Sequence, residues 1–211
     1  AIRGAGAMIK KFLSNCKKPT GKFGKMIVSA MNKGHAPLAL WAFEVCPLKD
    51  GESVLDVGCG GGGNLVRILE RFPQSRADGI DYSEESVACS RKVTRKFADR
   101  CSILCGDAMR LPYQDDTFDR AVSFESIYFW SDPVRGLKEI CRVLKQGGKV
   151  MIASEMTDPE KGKFWAKRCE GMTIYTAEQL ASFLSEAGFS NVKVHKTRKV
   201  WCAVEGVKRS L

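Results

Sequence analysis

Apolar positions along this chain change spacing repeatedly, and each change marks an element. Residues 36–46 form a dense apolar run with Trp41 and Phe43 that predicts a helix ending before Pro47. Val54-Leu55-Asp56-Val57 lies in a predicted first strand over 52–57, and 62–72 reads as a helix stopped by Pro73. A second strand is expected at 76–81, followed by a helix that opens at Ser83-Glu84-Glu85-Ser86. Ser83 can cap that helix, and its acids suit the positive helix end. Short apolar runs predict strand three near 101–105 and strand four at 118–124. Asp132-Pro133 then starts a helix through Leu144, with Asp as cap and Pro in the first turn. Gly147-Gly148 turns the chain into strand five, 149–154. Thr176-Ala177-Glu178-Gln179 is a capping-box pattern for a helix to Ala187 that Gly188 ends. Two last strands, near 190–196 and 199–205, are joined too tightly for a helical crossover and should pair antiparallel.

Alternating strands and helices of this kind predict an α/β fold. The expected form is a doubly wound, mostly parallel, seven-stranded Rossmann-like sheet with an antiparallel C-terminal edge strand. In such sheets ligands bind beyond the C-terminal strand ends, at the switch point. At 211 residues the chain is long enough for one domain with a sizeable core. We expect a basic leader over 1–35 and a catalytic domain over 36–211 that begins with a lid helix. Residues 1–7 lack periodicity and an initiator Met, and are expected to be a cloning remnant before Met8. No run of eighteen apolar residues and no signal peptide occur, from which a cytoplasmic location is expected.

Charge and cysteine content narrow the function. The net charge is +10, of which the first 35 residues supply +8 and residues 193–211 supply +5, leaving −3 for the body between. Basic ends can attract nucleic acid, acidic lipid or an anionic substrate, although solvated tails have the same composition. The nine cysteines are odd in number, lack a C-x-x-C pair and scatter through predicted elements, a pattern of reduced buried thiols. Cys101 and Cys105 share a predicted strand face and should pack, and no metal site is expected.

The candidate chemistry starts where strand one runs into Gly58-Cys59-Gly60-Gly61-Gly62-Gly63-Asn64. Glycines there let a ligand lie against bare amides at a helix N-terminus. Gly58, Gly60 and Gly63 fit G-x-G-x-x-G, a spacing shared by several nucleotide sites and by tight turns. Asp81, at the end of strand two, stands where ribose hydroxyls would sit. Asp56 precedes the glycines and would serve a cationic ligand better than a pyrophosphate.

With Asp56-Val57-Gly58-Cys59-Gly60-Gly61-Gly62 and Asp81 the chain resembles the class I S-adenosylmethionine-dependent methyltransferases. Gly106-Asp107-Ala108-Met109-Arg110-Leu111-Pro112-Tyr113, Asp116-Thr117-Phe118-Asp119 and Leu144-Lys145-Gln146-Gly147-Gly148-Lys149-Val150 extend that resemblance, over roughly 50–155. They are similar to the ubiquinone/menaquinone-methyltransferase-like branch, the methyltransferase type 11 domain. The resemblance implies S-adenosylmethionine as cofactor and S-adenosylhomocysteine as product. It implies that Gly58, Gly60 and Gly62 approach the methionine moiety, that Asp81 takes the ribose hydroxyls and that Tyr82 packs on the adenine. Asp107 would accept from the adenine amine beside the Ala108 backbone, and Asp56, Cys59, Asn64, Ser83 and Phe124 complete the expected cofactor contacts. Asp107 could instead be a turn residue after Gly106, and Tyr82 could be ordinary core.

Methyl transfer is an in-line displacement in which the protein mainly aligns the partners and excludes water. A general base is needed only for an acceptor that arrives protonated. Candidate catalytic residues are His35, Glu125 and Tyr128, with Glu155 as a further base near the rim. A helix-start histidine is also a common cap, and Glu125 could be a structural or cofactor-ammonium contact. Aromatics after strand four (Phe124, Tyr128, Phe129, Trp130), in the leader helix (Trp41, Phe43) and before the last helix (Phe164, Trp165, Tyr175) suit a wall for an apolar or planar small molecule, or a plain core. Methyl transfer to a small-molecule acceptor is therefore the expected function, with two alternatives. One is an RNA or nucleic-acid methyltransferase using the basic termini, although the segment after strand four lacks both Asn/Asp-Pro-Pro-Tyr and Pro-Cys. The other is a non-catalytic cofactor-binding partner subunit.

Overall fold

The structure is a computed structural model that describes residues 34–197 and 201–210. The basic leader, apart from Gly34 and His35, lies outside the described residues. Thirteen helices and strands follow in chain order among these: α1 (Ala36–Val45), β1 (Ser53–Val57), α2 (Gly63–Arg71), β2 (Arg76–Asp81), α3 (Glu84–Val93), β3 (Ile103–Cys105), β4 (Phe118–Phe124), α4 (Pro133–Val143), β5 (Leu144–Ser154), α5 (Pro159–Ala166), α6 (Ala177–Glu186), β6 (Phe189–Lys196) and β7 (Cys202–Lys208). One sheet contains all seven strands in the order β3-β2-β1-β4-β5-β7-β6. The first five are parallel to their neighbours, whereas β7 is antiparallel to both β5 and β6. The antiparallel strand is thus β7, inserted inside β6, and β6 forms the outer edge.

Local chemistry sets most boundaries. Ser83 caps α3 by accepting from Ser86 N, and Asp132 caps α4 by accepting from Arg135 N. Thr176 and Gln179 form a complete capping box on α6, and Gly188, at φ +102°, turns the chain out of it. Two readings shift. The strand after Gly147-Gly148 begins earlier, at Leu144, which pairs with Phe118 before a register break; pairing resumes at Arg120 with Lys149. The glycine pair therefore forms an irregularity within a strand rather than a separate turn. Helix α5 was not expected, although Asp158-Pro159 repeats the cap-and-proline signal of Asp132-Pro133, and Asp158 does cap it through Glu160 N and Lys161 N.

Each sheet face buries its own apolar cluster. One joins Leu55, Ile80, Leu137, Ile140, Ile152, Leu184 and Phe189 under α4 and α6. The other packs Leu38, Ala42 and Phe43 of α1 and Leu65, Ile68 and Leu69 of α2 against Val54, Val122, Met151 and Ala203. Burial on both faces is why the central strands read as nearly continuous apolar runs. The expectation that Cys101 and Cys105 pack on one face is corrected: Cys101 precedes β3 and is half-buried, whereas Cys105 ends the strand exposed. Among the described residues no two cysteines form a disulfide. Among the described residues no helix is long and apolar enough to cross a membrane.

Candidate active site

The C-terminal ends of β1, β2 and β4 open into a cavity of about 340 Å³ whose lining includes the glycine loop, Asp81, Asp107, Glu125 and His35. The loop is fixed from below, because Gly58 N and Cys59 N both donate to Ile80 O, at 2.8 and 3.0 Å. Gly58 has φ +78°, and a Cβ there would stand 2.0 Å from Ser126 Oγ. Gly62 has φ +78° and packs down onto α3, where a Cβ would meet Ser90 Oγ at 2.5 Å. Asp81 closes the cradle: one carboxylate oxygen accepts from Gly60 N and the other from Ser83 N, both at 2.9 Å. Burial raises the Asp81 pKa, and the Ser83 and Gly60 amides hold it back.

These residues fit S-adenosylmethionine. A loop of glycines without Cβ atoms lines the cavity just before a helix start, and an acid stands at the end of the second strand. Val57, Gly58, Cys59, Gly60, Asn64, Asp81, Tyr82, Asp107, Ala108 and Phe124 all line the cavity. Three expected contacts do not. Asp56 is 1% exposed and lies within β1, beneath the cavity; neither carboxylate oxygen has a hydrogen-bond partner among the described residues. Burial, with Asp81 adding, pushes its pKa up to about 8. Gly62 and Ser83 support the loop and cap α3 instead of lining the cavity. Cys59 is a buried thiol with its pKa raised by burial, so small size rather than reactivity explains it.

Of the alternatives left open, the core reading of Tyr82 fails, since the ring is 58% exposed at the cavity wall. The turn reading of Asp107 holds alongside its place in the wall, because it accepts from Met109 N at 2.9 Å. Sequence reasoning missed Arg67, Met109, Ser126 and Ser131 in the lining. Arg67 had a usable signal: it follows Asn64 by three positions on α2 and donates to Asn64 Oδ1 at 2.9 Å.

On the β4 side four side chains from separate segments meet. Glu125 follows β4 with φ +53°, a conformation that costs a residue with a Cβ roughly 1–2 kcal/mol. Tyr128 OH donates to Glu125 Oε1 at 3.0 Å, and Glu155 N, just past β5, donates to the same oxygen. Tyr128 OH also accepts from Met156 N at 3.1 Å. His35 at the α1 start makes no side-chain cap; its Nδ1 lies 3.8 Å from Glu125 Oε2 and 3.6 Å from Glu155 Oε2. These are ion-pair distances, longer than a hydrogen bond. Burial lowers the His35 pKa, but Glu155 and Glu125 outweigh it and leave the value raised. Burial pushes Glu125 up to about 7, against His35 and the Glu155 amide, and raises Tyr128 well above its usual value. Tyr128 is 2% exposed and outside the cavity lining, so it positions Glu125 and does not face an acceptor. Phe124, Phe129 and Trp130 form the aromatic wall, while Phe164, Trp165 and Tyr175 lie outside the lining.

Two groups among the described residues bring three ligand-type atoms within 4.8 Å of one another: His35, Glu125 and Glu155 at this rim, and Cys46, His195 and Glu205 away from it. The remaining motif residues are structural. Asp119 accepts from Ser53 and Lys145 at the opposite end of the sheet, and Arg142 with Glu139 holds the backbone of Leu111 and Tyr113.

Comparison with known proteins agrees with this geometry. Residues 55–152 match the methyltransferase domain family. A 2-methyl-6-phytyl-1,4-hydroquinone methyltransferase of Oryza sativa subsp. japonica is 34% identical over 176 residues, 76% of this chain and 51% of the relative. Norajmaline N-methyltransferase of Rauvolfia serpentina is 29% identical over 150 residues, 65% of this chain and 51% of the relative. The chain spans about half the length of the curated relatives it matches. Among solved structures, an S-adenosylmethionine-dependent methyltransferase from Aquifex aeolicus superposes with TM-score 0.72 at 22% identity, covering 88% of this chain and 99% of the other. Human N-acetylserotonin methyltransferase bound to S-adenosylmethionine gives 0.69 at 19%, covering 89% and 56%. A glycine cradle, an acid at the end of β2 and a matching family over the same strands lead to one conclusion: residues 55–152 form a class I S-adenosylmethionine-dependent methyltransferase domain.

Proposed function

We propose that the protein methylates a small aromatic acceptor that arrives protonated at oxygen, a hydroquinone or phenol, with His35 as general base. The observation that carries this reading is the placement of His35 Nδ1 between two carboxylates at the cavity mouth. Two carboxylates facing Nδ1 favour the tautomer with its proton there and leave Nε2 as the basic nitrogen. The same contacts raise ring basicity, which suits removal of a hydroxyl proton near neutral pH.

Bound S-adenosylmethionine supplies an electrophilic methyl group on sulfur and departs as the neutral thioether. The glycine loop and Asp81 hold and orient it from one side. Phe124, Phe129 and Trp130 present a planar, water-poor wall that favours an aromatic acceptor. His35 Nε2 takes the acceptor proton as the oxygen becomes nucleophilic, and Glu125 and Glu155 stabilise the imidazolium that forms. Glu125 can do so only if its carboxylate is held in place, which Tyr128 OH and Glu155 N achieve. The hydroquinone in the rice relative's name supports the acceptor class.

The test offers labelled S-adenosylmethionine with 2-methylhydroquinone, 4-ethylphenol, 2-phenylethylamine or a short RNA, and separately measures cofactor binding. Methylation of the hydroxyl compounds is expected. Transfer only to the amine or the RNA would overturn the acceptor class, and cofactor binding with no transfer would favour the partner-subunit reading. Absence of cofactor binding would overturn the whole proposal.

A further inference from the structure

On the α1 side of the sheet, away from the cavity, three side chains from distant segments converge. Cys46 is the C-cap of α1 and is 1% exposed. His195 lies on β6 opposite Ala203 and Glu205 on β7 opposite Lys193, so the two stand diagonally across the antiparallel pair on one face. His195 Nε2 is 3.4 Å from Glu205 Oε1, and the Cys46 sulfur lies within 4.8 Å of both ligand atoms.

We propose that Cys46, His195 and Glu205 form a binding site for a divalent ion of the zinc class, which fastens helix α1 to the β6–β7 edge. Zinc bonds of about 2.0–2.2 Å to nitrogen and oxygen and about 2.3 Å to sulfur place tetrahedral ligand atoms roughly 3.3–3.6 Å apart. The His195–Glu205 separation already meets that edge length, and the sulfur needs a shift of about 1.2 Å at most. One thiolate, one imidazole and one carboxylate select a borderline-soft ion over magnesium or calcium, which require mostly oxygen ligands. Three protein ligands leave a fourth position for water. Lys193 Nζ stands 3.9 Å from Glu205 Oε1, and Arg120 and Lys149 act on Cys46 through their charge. These cations oppose an added metal charge, so only an ion that bonds strongly to sulfur and nitrogen would be retained.

The site has a consequence for the rim. Helix α1 runs from its N-cap, His35, to its C-cap, Cys46, a span of roughly 17 Å at about 1.5 Å per residue. Metal at one end fixes the helix that carries the proposed base at the other.

The test uses the full 211-residue chain, stripped with chelator under reducing conditions and titrated with cobalt(II) as a spectroscopic substitute for zinc. A tetrahedral cobalt–thiolate site gives visible ligand-field bands and a near-ultraviolet sulfur-to-metal charge-transfer band. We expect these bands to saturate at one equivalent and to disappear when zinc is added. Cys46→Ser should abolish the charge-transfer band, while His195→Asn and Glu205→Gln should each weaken cobalt binding at least tenfold. Cys105→Ser, at an exposed thiol, should leave the bands intact. Should Cys46→Ser fail to fold, the two edge variants decide. No charge-transfer band at stoichiometric cobalt, a band that survives in folded Cys46→Ser, or affinity unchanged in both edge variants would overturn the proposal.

Discussion

At the β1–β2–β3 side of the rim the cavity is built on the backbone of the glycine loop, organised by Asp81. At the β4–β5 side four side chains meet, drawn from before α1, after β4, from the following turn and after β5. The first arrangement needs residues that make room: Gly58 at φ +78°, with Ser126 where a Cβ would go. The second needs a residue that endures strain, Glu125 at φ +53°, so that its carboxylate can meet His35 and Tyr128. A backbone cradle recognises a cofactor that the whole family shares, whereas side chains on separate segments can be exchanged singly. Acceptor choice can therefore change without disturbing the cofactor site.

The sharpest way to break this comparison is to remove the base. His35→Ala should lower kcat/KM for a hydroxyl acceptor by about 10²–10⁴-fold, the range for general-base catalysis, while calorimetry finds cofactor affinity within about twofold. A parallel loss of cofactor binding would merge the two halves into one. The converse substitution, Asp81→Ala, removes a charged acceptor of the Gly60 and Ser83 amides and should weaken cofactor binding by tenfold or more, from about 1.5–3 kcal/mol. Unchanged affinity by calorimetry would remove Asp81 from the cofactor site.

Gly58→Ala tests the backbone cradle alone. The added Cβ meets Ser126 Oγ and takes a left-handed φ, for a cost of at least roughly 1–2 kcal/mol. Thermal unfolding should shift down by several degrees and cofactor affinity should fall with it. The smallest effect is expected from Glu155→Gln. His35 is titrated above its ordinary value because Glu155 and Glu125 offset burial, and the base must be neutral to act. Activity is therefore lost as pH falls through that raised value, and removing one carboxylate should move the acid limb of kcat/KM to lower pH. A limb that stays in place, or moves up, would show that His35 is not the titrating group.

The same contrast explains what could be seen in the sequence. The cofactor side is contiguous: strand, glycines, helix and an acid 25 positions beyond Asp56, each with its own local turn or cap chemistry. Asp56 is buried within β1, on the strand face opposite Val57, and is absent from the lining that Val57 joins, which spacing from the glycines does not reveal. On the acceptor side His35, Glu125 and Glu155 were visible as candidates near the rim. Their mutual approach was not, because it depends on β4 and β5 being adjacent and on a positive φ at a glutamate. Helix α5 escaped because Gly162 and a weak apolar period masked it; that glycine is required where a Cβ would stand 1.9 Å from Ile174 Cδ1. Cys46, His195 and Glu205 carry no spacing signal at all, since two of them meet only through the β6–β7 pairing and the third arrives at the end of α1.

The most direct test of the account is single-turnover methyl transfer from labelled S-adenosylmethionine to 2-methylhydroquinone, comparing the unaltered chain with His35→Ala at saturating cofactor. The account predicts a methoxy-methylphenol product from the unaltered chain and at least a hundredfold slower formation in the variant, with both proteins binding the cofactor alike. Equal rates in the two proteins would contradict it, leaving the glycine cradle as a cofactor site whose acceptor needs no base from His35.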